Sequence, residues 1–485
     1  MWTPTEFGSG GWTSSYQADF EEIEYALELP FSAYAFQRDA FCNLAPLPAS
    51  ALYHEPGLGK TFTSSLTALF KMMKGHAHTT IVLMPPVLLH NWRRFLAKIK
   101  RRGGVPLDVV LYEGTPAKRK VIKLTGHEFV LMSLDIFKRD FDRISTDLFG
   151  VPVHIVVDEA TSIKNIESKN HQLVKEFAEG NTLQLLTGTP LNKPIDAYAY
   201  IKLLSPTTYR SKTQFERIHV EEWDFFNNPK KYCNLDLLQQ NLLINADRRL
   251  KEEVLLDLPP VVISAQEYAL DPAHAKLYRR LVEDQLLVLS DGSKIDASTP
   301  QKLNHKLGQI VCNWQHFDPD QTKQAMAFEL VQQLLDELGN GKLVVFANYK
   351  MTNRAIMANF QHVNVVGIWG EVSPKDKQRA IDRFIDDPTC RLMTLQPSSA
   401  GLGIDGLQHV CSEIFYLEPP VTPALLDQSL SRLYRDGQRK SVNVRIGTAT
   451  GTCQVHAVQA LVEKKELVDY LQGAHVSLKS MLYGE

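Results

Sequence analysis

The sequence predicts an α/β protein that contains two parallel-sheet domains with a helical insertion between them. Short runs of β-branched and Leu residues alternate with longer amphipathic stretches in two regions, about 48–200 and 343–446. Such runs, separated by helical segments, are typical of parallel strands buried on both faces. Between these regions, apolar residues recur at helical spacing. We therefore expect an N-terminal arm (1–30), a first α/β domain (31–205), the insertion and linker (206–325) and a second α/β domain (326–485).

Apolar runs of three to five residues predict the individual strands, because they are too short for helices. In the first domain these runs are 51–53, 81–84, 129–132, 155–157 and 183–186. In the second domain they are 343–346, 363–366, 391–394, 414–417 and 442–446. A longer stretch, 62–73, predicts a helix, whereas residues 1–20 are rich in Gly, Ser, Thr and Trp and predict a loosely ordered arm.

The insertion and the residues directly after it carry two clear helix signals. Apolar residues recur at i, i+4, i+7 and i+8 over 303–311, and Thr299 and Pro300 precede them as N-cap and first helical residue. A second apolar stripe, 327–338, is followed by Gly339 and a further glycine that end the helix. We therefore expect this part of the chain to be mainly helical.

The composition excludes several classes of protein. The chain has 485 residues, and its 53 Lys and Arg against 55 Asp and Glu give a formal charge of −2, which excludes a histone-like polycation. Nucleic-acid binding stays open, because a basic stripe can lie within a neutral total. The chain has no run of about 18 apolar residues, so we expect no membrane span. Its six cysteines form no CxxC pair, which favours reduced thiols in an intracellular protein over disulfides or zinc.

A glycine-rich segment, HEPGLGKT at 54–61, lies between a predicted strand and a predicted helix. Glycines allow backbone N–H groups to close around a phosphate chain at a helix N-terminus. Lys60 can then reach the β- and γ-phosphate oxygens, and Thr61 can hold Mg²⁺. The strict GxxxxGK[ST] pattern begins with Gly where this chain has His, and an ordinary glycine turn is the alternative. We expect ATP and Mg²⁺ at Gly57, Gly59, Lys60 and Thr61.

An acidic pair, Asp158 and Glu159, directly follows the predicted strand 155–157. The carboxyl ends of parallel strands are where α/β sheets bind ligands. In that place Asp158 would hold Mg²⁺, and Glu159 would orient or deprotonate the attacking water. A solvated acidic strand end is the alternative. The glycine-rich segment about 100 residues earlier in the same predicted domain argues against it.

Three further signals are weaker when each is taken alone. Residues 186–190, LTGTP, follow a predicted strand and offer hydroxyls that can sense a γ-phosphate; a plain turn is the alternative. Small residues over 398–405 would let the backbone approach a ligand or a nucleic-acid strand, or form a flexible loop. In QxxxRxxRxGQ at 428–438, Arg432 and Arg435 are spaced i, i+3 and should share a helix face. They suggest arginine fingers supplied across a domain cleft, worth roughly 10³–10⁵ in rate, or else two surface arginines.

In this order the motifs resemble those of superfamily 2 helicases, and most closely the Swi/Snf-type branch of DNA-dependent ATPases. That branch usually writes its loop DEMGLGKT, so His54 stands at its Asp position. Residues 81–92 are similar to its VVPxSLLxNW segment, and 248–260 resemble RRxKxxV…LPPK. Residues 342–349 are similar to its motif IV. The resemblance covers about residues 30–470, nearly the whole chain.

The resemblance implies two RecA-like domains with ATP and Mg²⁺ bound in the cleft between them. The catalytic residues it implies are Lys60, Asp158, Glu159, Arg432 and Arg435. Phe36-Gln37 resembles the Q-motif, in which Gln reads adenine, although the usual Arg-Pro before it is absent. We therefore add Gln37 to the expected nucleotide-binding residues. Gly403, from the segment 398–405, and Gln428, the first residue of QxxxRxxRxGQ, are also expected to bind nucleotide.

A basic segment, 91–125, predicts where DNA binds. It carries ten basic and two acidic side chains, a local charge of +8 within a chain whose total is −2. A solvated helix face explains some of these lysines. The resemblance implies that this region lies beside the DNA groove, where it would contact phosphates without reading sequence. The expected contacts, more to duplex than to single strands, are Asn91, Arg93, Arg94, Lys98, Arg101 and Arg102.

These features together predict a DNA-dependent ATPase that couples hydrolysis to translocation along duplex DNA, or to unwinding or remodelling. An ATP-gated DNA clamp with little turnover is the alternative. A phosphotransferase is disfavoured, because the TGTP and arginine motifs have no role in it. We expect no membrane partner and an intracellular protein, cytoplasmic if bacterial or viral and nuclear if eukaryotic. The sequence leaves the protein partners unknown.

Overall fold

The computed structural model describes residues 14–284, 286–288, 294–296, 299–318, 323–400, 404–471 and 478–483. The chain forms two compact units. Unit 1 contains the chain up to Leu191 together with Ile195–Leu250, and unit 2 contains Asn192–Pro194 and the chain from Lys251 onward. The residues predicted as one insertion, 206–325, are divided between the two units. The boundaries of the four predicted segments stay a prediction.

Unit 1 alternates strands with helices. Its strands are β1 (Leu27–Glu28), β2 (Ala49–His54), β3 (Thr79–Met84), β4 (Lys100–Arg101), β5 (Val105–Pro106), β6 (Val109–Leu111), β7 (Phe129–Ser133), β8 (Val153–Asp158), β9 (Thr182–Leu186), β10 (Val220–Trp223), β11 (Pro229–Tyr232) and β12 (Ala246–Arg249). Its helices are α1 (Ser14–Ala26), α2 (Ala35–Leu44), α3 (Lys60–Met73), α4 (Leu89–Leu96), α5 (Pro116–Lys120), α6 (Leu134–Arg139), α7 (Phe141–Asp147), α8 (Lys169–Ala178), α9 (Ala197–Leu204), α10 (Lys212–His219) and α11 (Leu235–Leu243).

The main sheet of unit 1 has seven strands in the order β12-β2-β9-β8-β3-β7-β6, and every pairing in it is parallel. The five strands predicted from apolar runs are confirmed as β2, β3, β7, β8 and β9, and the predicted helix 62–73 is confirmed as α3. Every residue of β3, β7 and β8 is buried, as expected for central strands covered on both faces.

Two predictions for unit 1 are wrong. Residues 14–26 form helix α1 instead of a loose arm, because Phe20 and Ile23 are buried, at 1% and 0% exposure, in the core that includes α2 and α3. Residues 1–13 lie outside the described part of the chain. No strand was predicted over 246–249, yet β12 extends the sheet by pairing with β2. Its sequence, Ala-Asp-Arg-Arg, is polar, so its pairing comes from the edge that β2 offers.

Unit 2 contains a second parallel sheet. Its strands are β13 (Val261–Tyr268), β14 (Leu286–Val288), β15 (Lys294–Asp296), β16 (Leu343–Phe346), β17 (Val366–Ile368), β18 (Leu392–Leu395), β19 (Glu413–Tyr416) and β20 (Val442–Ala449). Its helices are α12 (Lys251–Val254), α13 (Pro272–Asp284), α14 (Pro300–Cys312), α15 (Met326–Glu337), α16 (Lys350–Asn359), α17 (Pro374–Asp386), α18 (Pro397–Ala400), α19 (Pro423–Leu430), α20 (Cys453–Leu471) and α21 (Leu478–Tyr483). The six-stranded order is β13-β20-β19-β16-β18-β17, with all pairs parallel.

Four of the five predicted strands of unit 2 are confirmed, but the strand predicted at 363–366 is wrong. Asn364 has a left-handed φ of 54°, so the chain turns there and β17 begins only at Val366. The helix signals in the insertion are confirmed. The Thr299 side chain accepts a hydrogen bond from the backbone N–H of Lys302 and caps α14. A left-handed Gly339 follows α15.

The expectation of a mainly helical insertion missed β13, which pairs along its whole length with β20 and forms the edge of the second sheet. Of its eight residues only Ile263 and Tyr268 are buried, so the strand lacks the continuous buried apolar run of a central strand. In the described part of the chain, no helix combines the length and the apolar composition needed to cross a membrane.

Candidate functional site

The candidate site of unit 1 lies at the carboxyl edge of the seven-stranded sheet. The neighbours β2, β9 and β8 end there in the glycine-rich loop (55–59), in the segment 187–190 and in the pair Asp158-Glu159. Because parallel strands place their carboxyl ends on one edge, these three segments, about 130 residues apart at the extremes, come together. The structure therefore brings together the first three signals found in the sequence.

Gly59 makes the loop possible. Its φ of 73° and that of Gly57, 97°, lie in the left-handed region that side chains disfavour. A Cβ on Gly59 would also stand 2.3 Å from Nε2 of Gln37. The chain can therefore turn tightly into α3, which begins at Lys60, with its backbone open to a ligand.

Gln37 holds this loop from α2. Its side chain is buried, its Nε2 donates to the carbonyl oxygen of Leu58 at 3.1 Å, and its Oε1 accepts from the N–H of Tyr34 at 3.1 Å. The residue predicted to read adenine thus lies against the loop, with both ends of its amide bonded to backbone. Its contact with a nucleotide stays a prediction.

Lys60 is folded back onto the loop. Its Nζ donates to the carbonyl oxygens of His54, at 2.7 Å, and Glu55, at 3.3 Å. Burial lowers the pKa of Lys60, and the nearby carboxylates of Glu159 and Asp158 act against that shift. The ammonium group therefore stands in a site with acidic neighbours, where a charged group interacts more strongly than in bulk water.

Asp158 is buried and has both carboxylate oxygens engaged. Its Oδ2 accepts from Nε1 of Trp92 at 2.7 Å, and its Oδ1 accepts from the N–H of Glu159 at 2.9 Å. Burial raises the pKa of Asp158, while the hydrogen bond from Trp92 and the charge of Lys60 oppose the rise. These contacts fix the carboxylate plane at the end of β8.

Glu159 adopts an unusual backbone conformation. Its φ of 52° is left-handed, which is uncommon for a residue with a Cβ and costs of order 1–3 kcal/mol. This conformation ends β8 abruptly, and the next residues form a short 3₁₀ turn, Ala160–Ile163. Tyr200 steadies the turn by donating to the carbonyl oxygen of Ala160 at 3.1 Å. Strain of this kind is concentrated at functional sites.

The segment 187–190 packs against the loop. A Cβ on Gly188 would stand 2.6 Å from Cδ of Pro56 and 3.1 Å from the carbonyl oxygen of His54. Oγ1 of Thr187 accepts from the N–H of Thr189 at 3.1 Å and closes the turn. Glycine at 188 is therefore needed for the close approach of two chain segments.

Trp92, Asp247 and Arg249 are site residues that the sequence did not indicate. Trp92 lies on α4, at the end of the segment 81–92 that resembles the VVPxSLLxNW segment. Nothing in the sequence spacing between Trp92 and Asp158 indicated that the two side chains are in contact. Asp247 is 193 residues from its partner His54, so no local pattern joins them. Each was visible only once the sheet order brought distant segments together.

Trp92→Phe is expected to lower the free energy of unfolding of unit 1 by about 1.5–3 kcal/mol, since Asp158 would lose a buried charged hydrogen bond. Urea unfolding followed by circular dichroism measures this. Trp314→Phe is the control in unit 2 and should lower the free energy of unfolding of that unit by less, because Trp314 is 1% exposed and its Nε1 has no partner in the described residues. Equal losses in the two variants would show that the indole hydrogen bond contributes nothing.

In unit 2, the arginines of the predicted helix face lie outside a helix, which corrects that prediction. Helix α19 ends at Leu430. Beyond it, the N–H groups of Arg432 and Leu433 bond three residues back, to the carbonyl oxygens of Ser429 and Leu430, and Tyr434 makes one further i to i−4 bond to Leu430. Turns with i to i−3 bonding do not continue the α-helical stripe. The left-handed Gly437 then completes the reversal.

The arginine side chains are held within their own unit. Nε of Arg432 donates to the carbonyl oxygen of Gln428 at 3.2 Å, and an Nη1 contact of 3.4 Å reaches the carbonyl oxygen of Ile404. Arg435 pairs with Asp405 at 3.2 Å. Gln428 is half-buried on α19. Gly403, also predicted to bind nucleotide, lies outside the described residues.

The predicted DNA contacts surround α4 and the strands after it. Arg93, Arg94 and Lys98 are exposed, and Arg94 bonds to the side chain of Asn91. Two further members also have protein partners, since Arg101 pairs with Glu128 and the Arg102 guanidinium lies 3.8 Å from the ring centroid of Tyr25. Their contact with DNA stays a prediction.

One basic residue of the +8 segment is structural. Arg119 is only 4% exposed and makes two hydrogen bonds to Asp140, at 2.6 and 2.9 Å. These bonds and the hydrogen bond from Tyr112 lower the pKa of Asp140. The side chain therefore stabilises the packing of α5 against α6 and has no free face for a phosphate.

Comparison with known proteins gives matches along most of the chain. The family model described as SNF2-related domain matches residues 46–316, and the one described as Helicase conserved C-terminal domain matches residues 326–437. An uncharacterized ATP-dependent helicase of Mycoplasma pneumoniae is 26% identical over 430 residues, which are 86% of this chain and 39% of that protein. TATA-binding protein-associated factor MOT1 of Saccharomyces cerevisiae is 23% identical over 451 residues, 79% of this chain and 24% of that protein.

The chain thus spans about two-fifths or less of the length of these relatives. Among solved structures, the Sulfolobus solfataricus SWI2/SNF2 ATPase core in complex with dsDNA matches with a TM-score of 0.43 and 22% identity. That match covers 92% of this chain and 94% of the other.

Proposed function

The chain belongs to the SNF2-related domain family, and from this premise we propose that it is a DNA-dependent ATPase that couples ATP hydrolysis to translocation along duplex DNA, or to unwinding or remodelling. One observation carries the proposal. The glycine-rich loop, the buried Asp158 with its neighbour Glu159, and the segment 187–190 meet at one edge of a parallel sheet. A bare glycine turn would not need two carboxylates and a half-buried Lys60 beside it.

The residues at this edge fit ATP and Mg²⁺. The left-handed glycines leave the backbone N–H groups at the start of α3 accessible, and Lys60 supplies a positive charge. We propose that Thr61 and Asp158 hold Mg²⁺, which would bridge and neutralise phosphate oxygens. A buried carboxylate whose pKa is raised by burial gains most from a nearby cation. Gln37 would contact the adenine through a rearranged amide.

Hydrolysis requires a base and a group that stabilises the developing charge. We propose that Glu159 orients or deprotonates the attacking water, because it directly follows Asp158 and is held in a strained, fixed conformation. Arg432 and Arg435 of unit 2 are proposed to stabilise the phosphoryl oxygens, and Gly403 and Gln428 to bind nucleotide. Nε and Nη1 of Arg432 bond to backbone carbonyls, which a phosphate can replace.

We propose that DNA binds across the exposed side chains of α4 and of Lys98, two residues after its end. Arg93, Arg94 and Lys98 point to solvent and carry charge in a segment of net +8. Phosphate neutralisation by such residues gives binding that weakens steeply with salt, with a slope near −0.9 per phosphate on duplex DNA. Asn91, Arg101 and Arg102 would contribute after exchanging their present partners.

The expected result is ATP hydrolysis that duplex DNA stimulates and that Arg93→Glu with Arg94→Glu reduces at least about tenfold at 0.15 M salt, because two phosphate contacts become repulsive. Phosphate release measured with no DNA, single strands and duplex gives the comparison. Lys138→Glu with Arg139→Glu is the matched control, an equal charge change at exposed residues of α6 in the same unit.

A rate of ATP hydrolysis that is the same with and without DNA would contradict the proposal. Equal losses in both double variants would reject α4 as the DNA contact while leaving the ATPase intact. A triplex-displacement assay run beside a strand-displacement assay then separates translocation along duplex from unwinding.

A further inference from the structure

We infer that His54 is a positioning residue of the nucleotide loop, acting through a buried hydrogen bond to Asp247 on the last strand of unit 1. The inference rests on the proposed function, since it concerns the same loop. It adds a requirement that lies outside the loop itself: the loop's geometry depends on a carboxylate 193 residues further along the chain.

The contact between His54 and Asp247 is short and shielded from solvent. Nε2 of His54 lies 2.7 Å from Oδ1 of Asp247, and the two side chains are 0% and 8% exposed. Arg249 bonds to both oxygens of the same carboxylate, with Nε 2.9 Å from Oδ1 and Nη2 3.0 Å from Oδ2. A carboxylate held by a two-pronged guanidinium is fixed in orientation as well as position. Asp247 is therefore a rigid acceptor for the imidazole.

The backbone links the same two strands. Arg249 pairs in register with His54, and its carbonyl oxygen accepts from the N–H of Glu55, the first loop residue, at 3.1 Å. Nη1 of Arg248 donates to the carbonyl oxygen of Tyr53 at 3.1 Å. Unit 1 ends at Leu250, one residue after Arg249. The loop is thus attached to the last residues of unit 1 by main-chain and side-chain bonds together.

The position of residue 54 matters to the site because its carbonyl oxygen is the acceptor for Lys60, at 2.7 Å. The same oxygen faces Gly188, where an added Cβ would come within 3.1 Å. A shift of His54 would therefore move both the resting place of the lysine and the contact between the loop and the segment 187–190. The side chain of His54 fixes a carbonyl that two functional segments share.

The protonation states agree with this geometry. Burial lowers the pKa of His54 and outweighs the Asp247 carboxylate, while Lys60 and Arg249 also act to lower it. Burial acts to raise the pKa of Asp247, but the bonds from His54 and Arg249 prevail and lower it. The pair is thus a neutral imidazole that donates Nε2–H to a carboxylate. The edge of the Phe36 ring lies against the imidazole, with 5.9 Å between centroids, and Nδ1 has no hydrogen-bond partner in the described residues.

Two amides of different length test the inference. Gln at position 54 places its amide nitrogen where Nε2 lies, whereas Asn reaches only the place of Nδ1. Binding of a fluorescent ATP analogue with Mg²⁺, titrated without DNA, measures the loop directly. We expect His54→Gln to bind within about threefold of wild type and His54→Asn to bind at least about tenfold more weakly. Asp247→Leu removes the same bond together with the two from Arg249, so it should weaken binding at least as much as His54→Asn does. The double variant should bind no more weakly than Asp247→Leu alone, because the bond from residue 54 is already lost.

Matched controls come from His154, which is 1% exposed and bonds through Nδ1 to Oγ1 of Thr182 at 2.8 Å, near the opposite end of β8. His154→Gln and His154→Asn should change the melting temperature but keep ATP-analogue affinity within about twofold of wild type. Equal affinity in His54→Asn and wild type, or equal losses at positions 54 and 154, would overturn the inference while the proposed function stands. A wild-type protein that binds no nucleotide would overturn the proposed function itself.

Discussion

Lys60→Ala is expected to lower the rate of DNA-stimulated ATP hydrolysis by about 10²–10³-fold, the loss typical of removing one group that stabilises transition-state charge. Lys60 begins α3 and stands among Glu159, Asp158 and Glu55, whose charges favour its ammonium form despite burial. Without it, the phosphate oxygens would lose one of the cations that offset the repulsion from those carboxylates. We expect nucleotide affinity to fall as well as turnover, because the ammonium group would contact phosphates in both the ground and transition states.

The other end of the same helix supplies a control. Lys71 is 2% exposed, its Nζ donates to the carbonyl oxygen of Leu47 at 2.8 Å, and burial lowers its pKa to about 8. Lys71→Met removes a buried ammonium from α3 without touching the loop. It should lower the melting temperature and leave kcat per folded molecule unchanged. A Lys60→Ala protein with full activity, measured by phosphate release at saturating duplex DNA, would remove the loop from the mechanism.

What the sequence predicts well in this protein is set by local patterns. Within β3, the run Ile81–Met84 is apolar and buried at each position, so this run alone predicts the strand. The glycine-rich loop is equally readable, because Gly57 and Gly59 are needed at left-handed φ. Asp158 and Glu159 are readable because an acidic pair directly after such a run can only stand at the sheet's carboxyl edge.

What the sequence predicts poorly depends on partners far along the chain. The strand Ala246–Arg249 is polar and is extended only because β2 offers it an edge. Trp92 contacts Asp158 across 66 residues, and no spacing rule could connect the two. Helix α1 was missed for a different reason, because Phe20 and Ile23 follow a Gly- and Ser-rich stretch that hid their helical spacing.

The arginine motif shows a third kind of limit. An i, i+3 spacing puts Arg432 and Arg435 on one face only if the helix continues, and α19 ends at Leu430. The pattern QxxxRxxRxGQ therefore indicates which residues belong together without giving their backbone. Gln438 explains the turn, because its buried amide donates to the carbonyl oxygens of Cys411 and Leu433 at 3.0 and 3.2 Å.

Glu159→Gln is expected to lower ATP hydrolysis by about 10²–10⁴-fold while ATP and DNA still bind, because only the proton-accepting or water-orienting charge is lost. The amide has the size of the carboxylate, so it should preserve the left-handed turn that ends β8. Removing this negative charge should leave Lys60 with one carboxylate fewer nearby, which favours rather than opposes nucleotide binding. Hydrolysis and binding should therefore separate, unlike in Lys60→Ala, where both fall.

This separation decides between a motor and an ATP-gated clamp. Glu176→Gln is the control, an equal charge change at an exposed residue of α8 in the same unit, and it should leave turnover unchanged. A motor requires the wild type to turn over far faster than Glu159→Gln under identical DNA stimulation. If the wild type hydrolyses ATP as slowly as Glu159→Gln while both bind ATP and DNA, turnover is not the protein's function. The strained conformation of Glu159 would then serve only to shape a nucleotide-dependent DNA clamp.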